Sequence, residues 1–222
     1  MPAEGAMLDL DPRSLSVYVI TSATGAMGRG HREIARAAID GGATALQLRA
    51  PELPDDELLR LARDLAESCR GAGVLFLVND RVDVAVAAAA GGAHVGQGDD
   101  LDGARERLGP ERVLGISVND TEQALAARTG GADYLGVTVW PSPTKPEAPP
   151  LGLEAVAEIA WASGLPVVGI GGIRAANARD VLCAGAVGVA VISAIAAAED
   201  PAVATRELRD VVERVRTEGC GP

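Results

Sequence analysis

The chain has 222 residues, 48% of them hydrophobic and 23% charged, which suits one soluble domain or one large α/β barrel with a full core. Aromatic residues make up only 2%, so the core must be aliphatic. The formal charge of −11 argues against nucleic acid and anionic membranes as partners, since both need a net basic face, but it leaves room for an anionic small molecule at a locally basic site.

The opening stretch MPAEGAMLDLDPRS is acidic and lacks the apolar centre of a signal peptide. No uninterrupted apolar run reaches the roughly 18 residues of a membrane span. Cys69, Cys183 and Cys220 show neither metal-ligand nor CxxC spacing, so they read as reduced thiols of a cytoplasmic protein.

Short apolar runs then alternate with helical patterns. The runs at 16–21 (SVYVIT), 44–48 (TALQL), 74–78 (VLFLV), 92–95 (GAHV), 112–116 (RVLGI), 133–138 (DYLGVT), 166–170 (PVVGI) and 187–192 (VGVAVI) predict strands buried on both faces. The clearest helix is Asp55–Arg70, with Leu58, Leu61 and Leu65 on one side and charges on the other; Asp55 is its expected N-cap and Gly71 its expected stop. Several strands share a preamble of helix end, glycine turn and strand: DGGATAL, AGGAHV, TGGADYL and AGAVGVAV. This repetition predicts a single (β/α)8 TIM barrel domain spanning 1–222, with its core over about 16–216 and short flexible termini. A doubly wound sheet is the runner-up, but no GxGxxG follows the first strand.

The C-terminal ends of barrel strands hold the active site. The second strand ends in Gln47 and Arg49, which share one face; the guanidinium calls for either a structural carboxylate or an anionic ligand. Asn79 and Asp80 follow the third strand, where Asp80 reads either as an N-cap, with Asp83 at the third position of the helix, or as a ligand. Asp99 and Asp100 follow the fourth. Asp80 and Asp99 lie at adjacent strand ends, and two such carboxylates suit Mg²⁺, which shares its shell with phosphate oxygens; Asp100 then serves as the helix cap. Ser117 and Asn119 follow the fifth strand. GIGGI (169–173) and Ile192–Ser193 end the seventh and eighth, the usual place for a phosphate held by backbone N–H groups. His94 reads as a structural residue of the core or barrel interior.

The loop after the sixth strand, WPSPTKPEAPPLG (140–152), packs in five prolines and the only lysine, Lys145; the other nineteen basic residues are arginines. A plain surface connector would take arginine as readily as every other site in the chain.

Taken together and in order, QLRAP, ND, HVGQGD, GIS, PSPTKP, IGGI and IS resemble the thiamine phosphate synthase family from Tyr18 to Ile195. The resemblance implies a transferase that joins 4-amino-2-methyl-5-hydroxymethylpyrimidine diphosphate to 4-methyl-5-(2-phosphoethyl)thiazole, or its carboxylated form, with release of pyrophosphate. It implies that Gln47, Arg49, Asn79, Ser117 and Lys145 bind the pyrimidine diphosphate, with Lys145, Arg49 and Ser117 acting in catalysis. It implies that Asp80 and Asp99 hold Mg²⁺. Ser142, Thr144, Gly172, Ile192 and Ser193 would hold the thiazole phosphate, with Gly171 shaping the turn. The chain departs from the family pattern at Pro51, where a lysine is usual, and at Ser142, where threonine is usual. A thiazole tautomerase-like relative is a rival reading, but Asn119 stands near the position where that relative has a histidine. A non-catalytic phosphate-ligand-binding member is a second rival, favoured by Pro51 and opposed by Asp80, Asp99 and Lys145. The expected partners are the small-molecule substrates alone, and a homodimer is compatible with the reading.

Overall fold

A computed structural model describes residues 10–23, 27–142 and 148–220. Eight parallel strands close into a barrel in sequence order. They are β1 (Val17–Thr21), β2 (Ala45–Leu48), β3 (Leu75–Asn79), β4 (Gly92–Val95), β5 (Val113–Ser117), β6 (Tyr134–Thr138), β7 (Val167–Ile170) and β8 (Gly188–Val191). Tyr18 pairs with Ala45 on one side and Ala190 on the other, which joins the ends of the sheet.

The intervening helices are α1 (His31–Gly41), α2 (Asp55–Ala72), α3 (Val82–Ala87), α4 (Leu101–Leu108), α5 (Thr121–Thr129), α6 (Gly152–Ser163), α7 (Ala175–Cys183), α8 (Ser193–Ala196) and α9 (Pro201–Glu218). Successive strand residues face opposite sides, so the sheet buries two separate apolar sets. Val19, Leu46, Val78, Ala93, Leu114, Leu135, Val167 and Val189 pack outward against the helices. Leu15, Tyr18, Ala45, Leu77, Val113, Tyr134, Val168 and Ala190 fill the lumen. One position shows how tightly the lumen is filled: a Cβ on Gly115 would stand 2.1 Å from the Tyr134 ring, so the missing side chain on β5 makes the space that the β6 phenol occupies.

Local details differ from the sequence expectation. The N-cap of α2 is Pro54, with Asp55 in the first turn, and the left-handed residue that ends the helix is Gly73 at φ 69°, two residues beyond Gly71. The cap of α3 is Arg81. Asp80 instead sits at φ 60° in a tight turn, where Val82 N donates to the Asp80 carbonyl at 2.9 Å. Asp100 does cap α4, its carboxylate accepting from Gly103 N at 3.0 Å.

The cysteine reading needs correction. Cys183 and Cys220 form a disulfide across 37 residues of sequence, with Cα atoms 5.5 Å apart; Cys69 is a buried thiol, and burial pushes its pKa up to about 12. Sequence spacing hides the pair because only the packing of α7 against α9 brings the two residues together. No helix among the described residues is long and apolar enough to cross a membrane.

Candidate active site

The lumen positions change character toward the C-terminal ends of the strands. Below lie leucine, valine and tyrosine; above, the same inward parity places Gln47, Arg49, Asn79, His94, Ser117 and Thr138 around one cavity. Ser142, Gly171 and Ile192 complete its rim. Seven residues expected from sequence therefore share one wall: Gln47, Arg49, Asn79, Ser117, Ser142, Gly171 and Ile192.

Neither Asp80 nor Asp99 is among the residues that line this cavity. Asp80 N donates to the His94 carbonyl at 2.8 Å, which fastens the end of β3 to β4. Asp99 lies in the loop after β4, where its Oδ2 accepts from Gly96 N at 2.6 Å. It opens onto a groove between α4 and α5 that Ser117 also lines, so Ser117 is shared by groove and cavity. Both carboxylates are exposed. Among the described residues no group of three or more His, Cys, Asp and Glu is placed to hold a metal ion. The donor set is therefore two hard carboxylate oxygens open to solvent. That fits Mg²⁺, which keeps water and phosphate oxygens in its shell, and does not form an all-protein cage.

The IGGI turn meets the proline-rich loop. Gly171 and Gly172 have φ of 89° and 61°, and a Cβ on Gly172 would come within 3.1 Å of the Pro141 carbonyl oxygen. Among the described residues nothing accepts the N–H of Gly171 or Gly172, leaving two donors for an anion. Ser193 begins α8 next to Ile192. The loop itself leaves β6 and returns to it: Leu151 N donates to the Thr138 carbonyl at 2.9 Å and Gly152 N to the Val139 carbonyl at 3.0 Å. Thr144 and Lys145 lie outside the described residues.

At the Pro51 departure, the nearby cation is Arg81. It donates to the Leu53 carbonyl at 2.6 Å and the Pro51 carbonyl at 3.4 Å and pairs with Asp55 at 3.1 Å, so it braces this loop. The next residue, Glu52, accepts from His31 Nε2 at 3.0 Å if that nitrogen holds the proton, while His31 Nδ1 lies 2.9 Å from Thr21 Oγ1. Burial pushes the Glu52 carboxyl up, but the His31 and backbone hydrogen bonds and the charges of His31 and Arg49 outweigh it and hold it below the ordinary range.

Across residues 17–195 the chain matches the family model described as thiamine monophosphate synthase. The chain belongs to the thiamine monophosphate synthase family. It is 48% identical over 204 residues to the thiamine-phosphate synthase of Moorella thermoacetica, covering 90% of this chain and 97% of that one. It is 51% identical over 198 residues to the thiamine-phosphate synthase of Roseiflexus castenholzii, covering 88% and 87%. The solved thiamine phosphate pyrophosphorylase from Pyrococcus furiosus superposes with a TM-score of 0.85 at 42% identity, over 92% of this chain and 98% of that one. A 3-hexulose-6-phosphate synthase structure, at 18% identity and a TM-score of 0.68, shows the shared barrel fold alone.

Tyr18, Tyr134 and His94 also line the cavity, although the sequence motifs assign none of them a ligand role. His94, taken as structural, has Nδ1 at 2.8 Å from Tyr134 OH and Nε2 at 3.0 Å from Ser117 Oγ, inside the cavity. Strand parity was the available signal, since Tyr18, Gln47, His94, Ser117 and Tyr134 all occupy inward positions.

Proposed function

We propose that this chain acts as one catalytic domain, a thiamine-phosphate synthase that condenses 4-amino-2-methyl-5-hydroxymethylpyrimidine diphosphate with the thiazole phosphate or its carboxylated form. The observation that carries the reading is the convergence of Gln47, Arg49, Asn79, Ser117, Ser142, Gly171 and Ile192, from five strand ends and the loop after β6, on one cavity. Gln47, Asn79 and Ser117 hold the pyrimidine, while Arg49 and Lys145 meet its diphosphate. Ser142, Thr144, Ser193 and the N–H groups of Gly171 and Gly172 hold the thiazole phosphate beside Ile192.

The bond between the pyrimidine methylene carbon and the diphosphate oxygen breaks, and its electron pair leaves with the diphosphate. The thiazole nitrogen then uses its lone pair to form the new C–N bond; with the carboxylated form, the carboxylate also leaves as CO2 and its ring carbon takes up a proton. No protein nucleophile is required. The side chains stabilise the charge growing on the leaving group, where fixed cations act without reorganising. Mg²⁺, when bound, would be held by Asp80 and Asp99 and would neutralise part of that charge. Pro51 removes one cation from the family set, so Arg49 and Lys145 bear more of this work. The apolar lumen below the cavity, with Ile20, Val168 and Ala190 in its lining, keeps water from the electron-poor methylene carbon.

A coupled assay of pyrophosphate release with both substrates and Mg²⁺ tests the reading. Release that requires both substrates supports it. Binding of both substrates without release would favour the non-catalytic relative.

A further inference from the structure

A line of side-chain hydrogen bonds crosses the floor of the cavity. Gln47 Nε2 donates to Tyr18 OH at 2.7 Å. Tyr18 OH lies 2.9 Å from Tyr134 OH, Tyr134 OH lies 2.8 Å from His94 Nδ1, and His94 Nε2 lies 3.0 Å from Ser117 Oγ. The five residues come from β2, β1, β6, β4 and β5 in turn, and both ends of the line reach residues that wall the cavity.

A hydroxyl has one hydrogen to give, and a neutral imidazole has one donor nitrogen and one acceptor. Tyr18 receives a hydrogen from Gln47, and Tyr134 is the only other partner of its hydroxyl among the described residues, so its own hydrogen goes to Tyr134. Tyr134 then donates to His94 Nδ1. That places the imidazole proton on Nε2, which donates to Ser117. Ser117 is left with its hydroxyl hydrogen to point at a ligand. At the other end the Gln47 carbonyl oxygen makes no bond to a described residue and remains an acceptor. Burial pushes both tyrosine hydroxyls far above their ordinary pKa, against the smaller opposing pull of the Tyr134 and Gln47 hydrogen bonds at Tyr18, and with the neighbouring Tyr18 adding to the rise at Tyr134. The phenols therefore keep the hydrogens the line requires. The Tyr134 ring is held edge-on to Tyr18 with centroids 6.2 Å apart and fills the space left by Gly115.

We propose that Tyr18, Tyr134 and His94 are positioning residues that fix Gln47 as an acceptor and Ser117 as a donor, so that the site selects a 4-aminopyrimidine over its 4-oxo counterpart. This deepens, and rests on, the pyrimidine diphosphate reading above. An isolated glutamine amide turns over freely and an isolated serine hydroxyl rotates, so neither alone would discriminate. Linked, they cannot change sense independently. A 4-aminopyrimidine brings an amine donor and, across the ring, a nitrogen acceptor, which matches the Gln47 oxygen and the Ser117 hydrogen. The 4-oxo compound sets an oxygen against the Gln47 oxygen.

Calorimetric titration of the intact protein with the 4-amino and the 4-oxo pyrimidine diphosphates tests this. The wild type is expected to prefer the amino compound by roughly 100-fold or more, since a site built to hydrogen-bond one partner leaves buried polar groups unpaired against the other. Tyr134→Phe and, independently, Tyr18→Phe should reduce that preference to about tenfold or less, because the Gln47 amide regains the freedom to turn. Thiazole phosphate affinity should stay at the wild-type value in both variants and reports that the fold is intact. A merely structural role would weaken both pyrimidines alike and leave their ratio unchanged, and that result overturns the proposal. So does a wild type that binds both pyrimidines equally, which leaves the synthase reading standing. A wild type that binds neither removes the synthase reading and this inference with it.

Discussion

Gly171 packs against the backbone of Trp140 so closely that a Cβ added to the glycine would stand 2.4 Å from the Trp140 carbonyl oxygen. The IGGI turn and the start of the proline-rich loop are thereby held edge to edge, and φ of 89° at Gly171 independently disfavours any side chain.

Gly171→Ala must strain the turn or push the Trp140 backbone away, at a cost of about 1–3 kcal/mol. Thermal unfolding should register the loss. Titration should show weaker thiazole phosphate binding with pyrimidine diphosphate affinity nearly unchanged; an equal fall in both would mean that the turn shapes the whole cavity and not the phosphate corner.

Asp99→Asn keeps an oxygen that accepts from Gly96 N, so the loop after β4 should hold its shape. It removes the negative charge. The Mg²⁺ concentration giving half-maximal pyrophosphate release should rise roughly tenfold or more, which corresponds to losing about 1.4 kcal/mol or more of charge-assisted interaction. Unchanged Mg²⁺ dependence would take Asp99 out of the metal site.

Lys145 is the only lysine in the chain, in a loop whose returning end is tied to its start by the Leu151 and Gly152 N–H groups, which donate to the Thr138 and Val139 carbonyls. If its charge meets the departing diphosphate, Lys145→Ala should lower kcat more than it raises KM, since only interactions stronger in the transition state speed the chemistry. A lost charged hydrogen bond of about 2–3 kcal/mol corresponds to roughly one to two orders of magnitude in rate. Lys145→Arg should recover part of this, because a planar guanidinium does not replace a compact ammonium. Wild-type single-turnover rates in that variant would show that any cation serves.

The Cys183–Cys220 disulfide joins the C-terminal ends of α7 and α9, on the face of the barrel away from the cavity. Closing a loop over a 37-residue separation removes conformational freedom from the unfolded chain worth up to about 4 kcal/mol. Cys183→Ser should lower the unfolding temperature under oxidising conditions, with kcat near wild type at temperatures where the fold persists. Treatment of the wild type with a thiol reductant should reproduce the shift, and an unfolding temperature insensitive to reductant would show that the cross-link adds nothing to stability.

Much of the barrel was legible because buried parallel strands leave a strong local mark. Each of the eight expected runs contains all or nearly all of its strand, with ends off by a residue or two. Site residues at strand ends, such as Gln47, Asn79 and Ser117, were legible for the same reason: once a strand is placed, its last inward residues face the mouth. Helix ends were harder. Gly71 and Gly73 are both plausible stops, and the hydrophobic pattern of α2 does not say which one takes the left-handed conformation. Of the two readings that the sequence leaves open for Asp80, cap and ligand, the cap falls away, because the turn at φ 60° gives that position to Arg81.

The sequence by itself determined the alternation of strand and helix, the barrel class, the ordered set of polar residues at the strand ends and the chemistry their types permit. These follow from local periodicity and side-chain identity, which need no knowledge of distant neighbours. Only the tertiary structure decided that Cys183 meets Cys220, that Gly171 lies against Trp140, and that the chain's only two tyrosines meet in the lumen and link Gln47 to His94 and Ser117. Those contacts join residues far apart in the chain, and closure of the sheet, which brings β1 beside both β2 and β8, is the event that sets their distances.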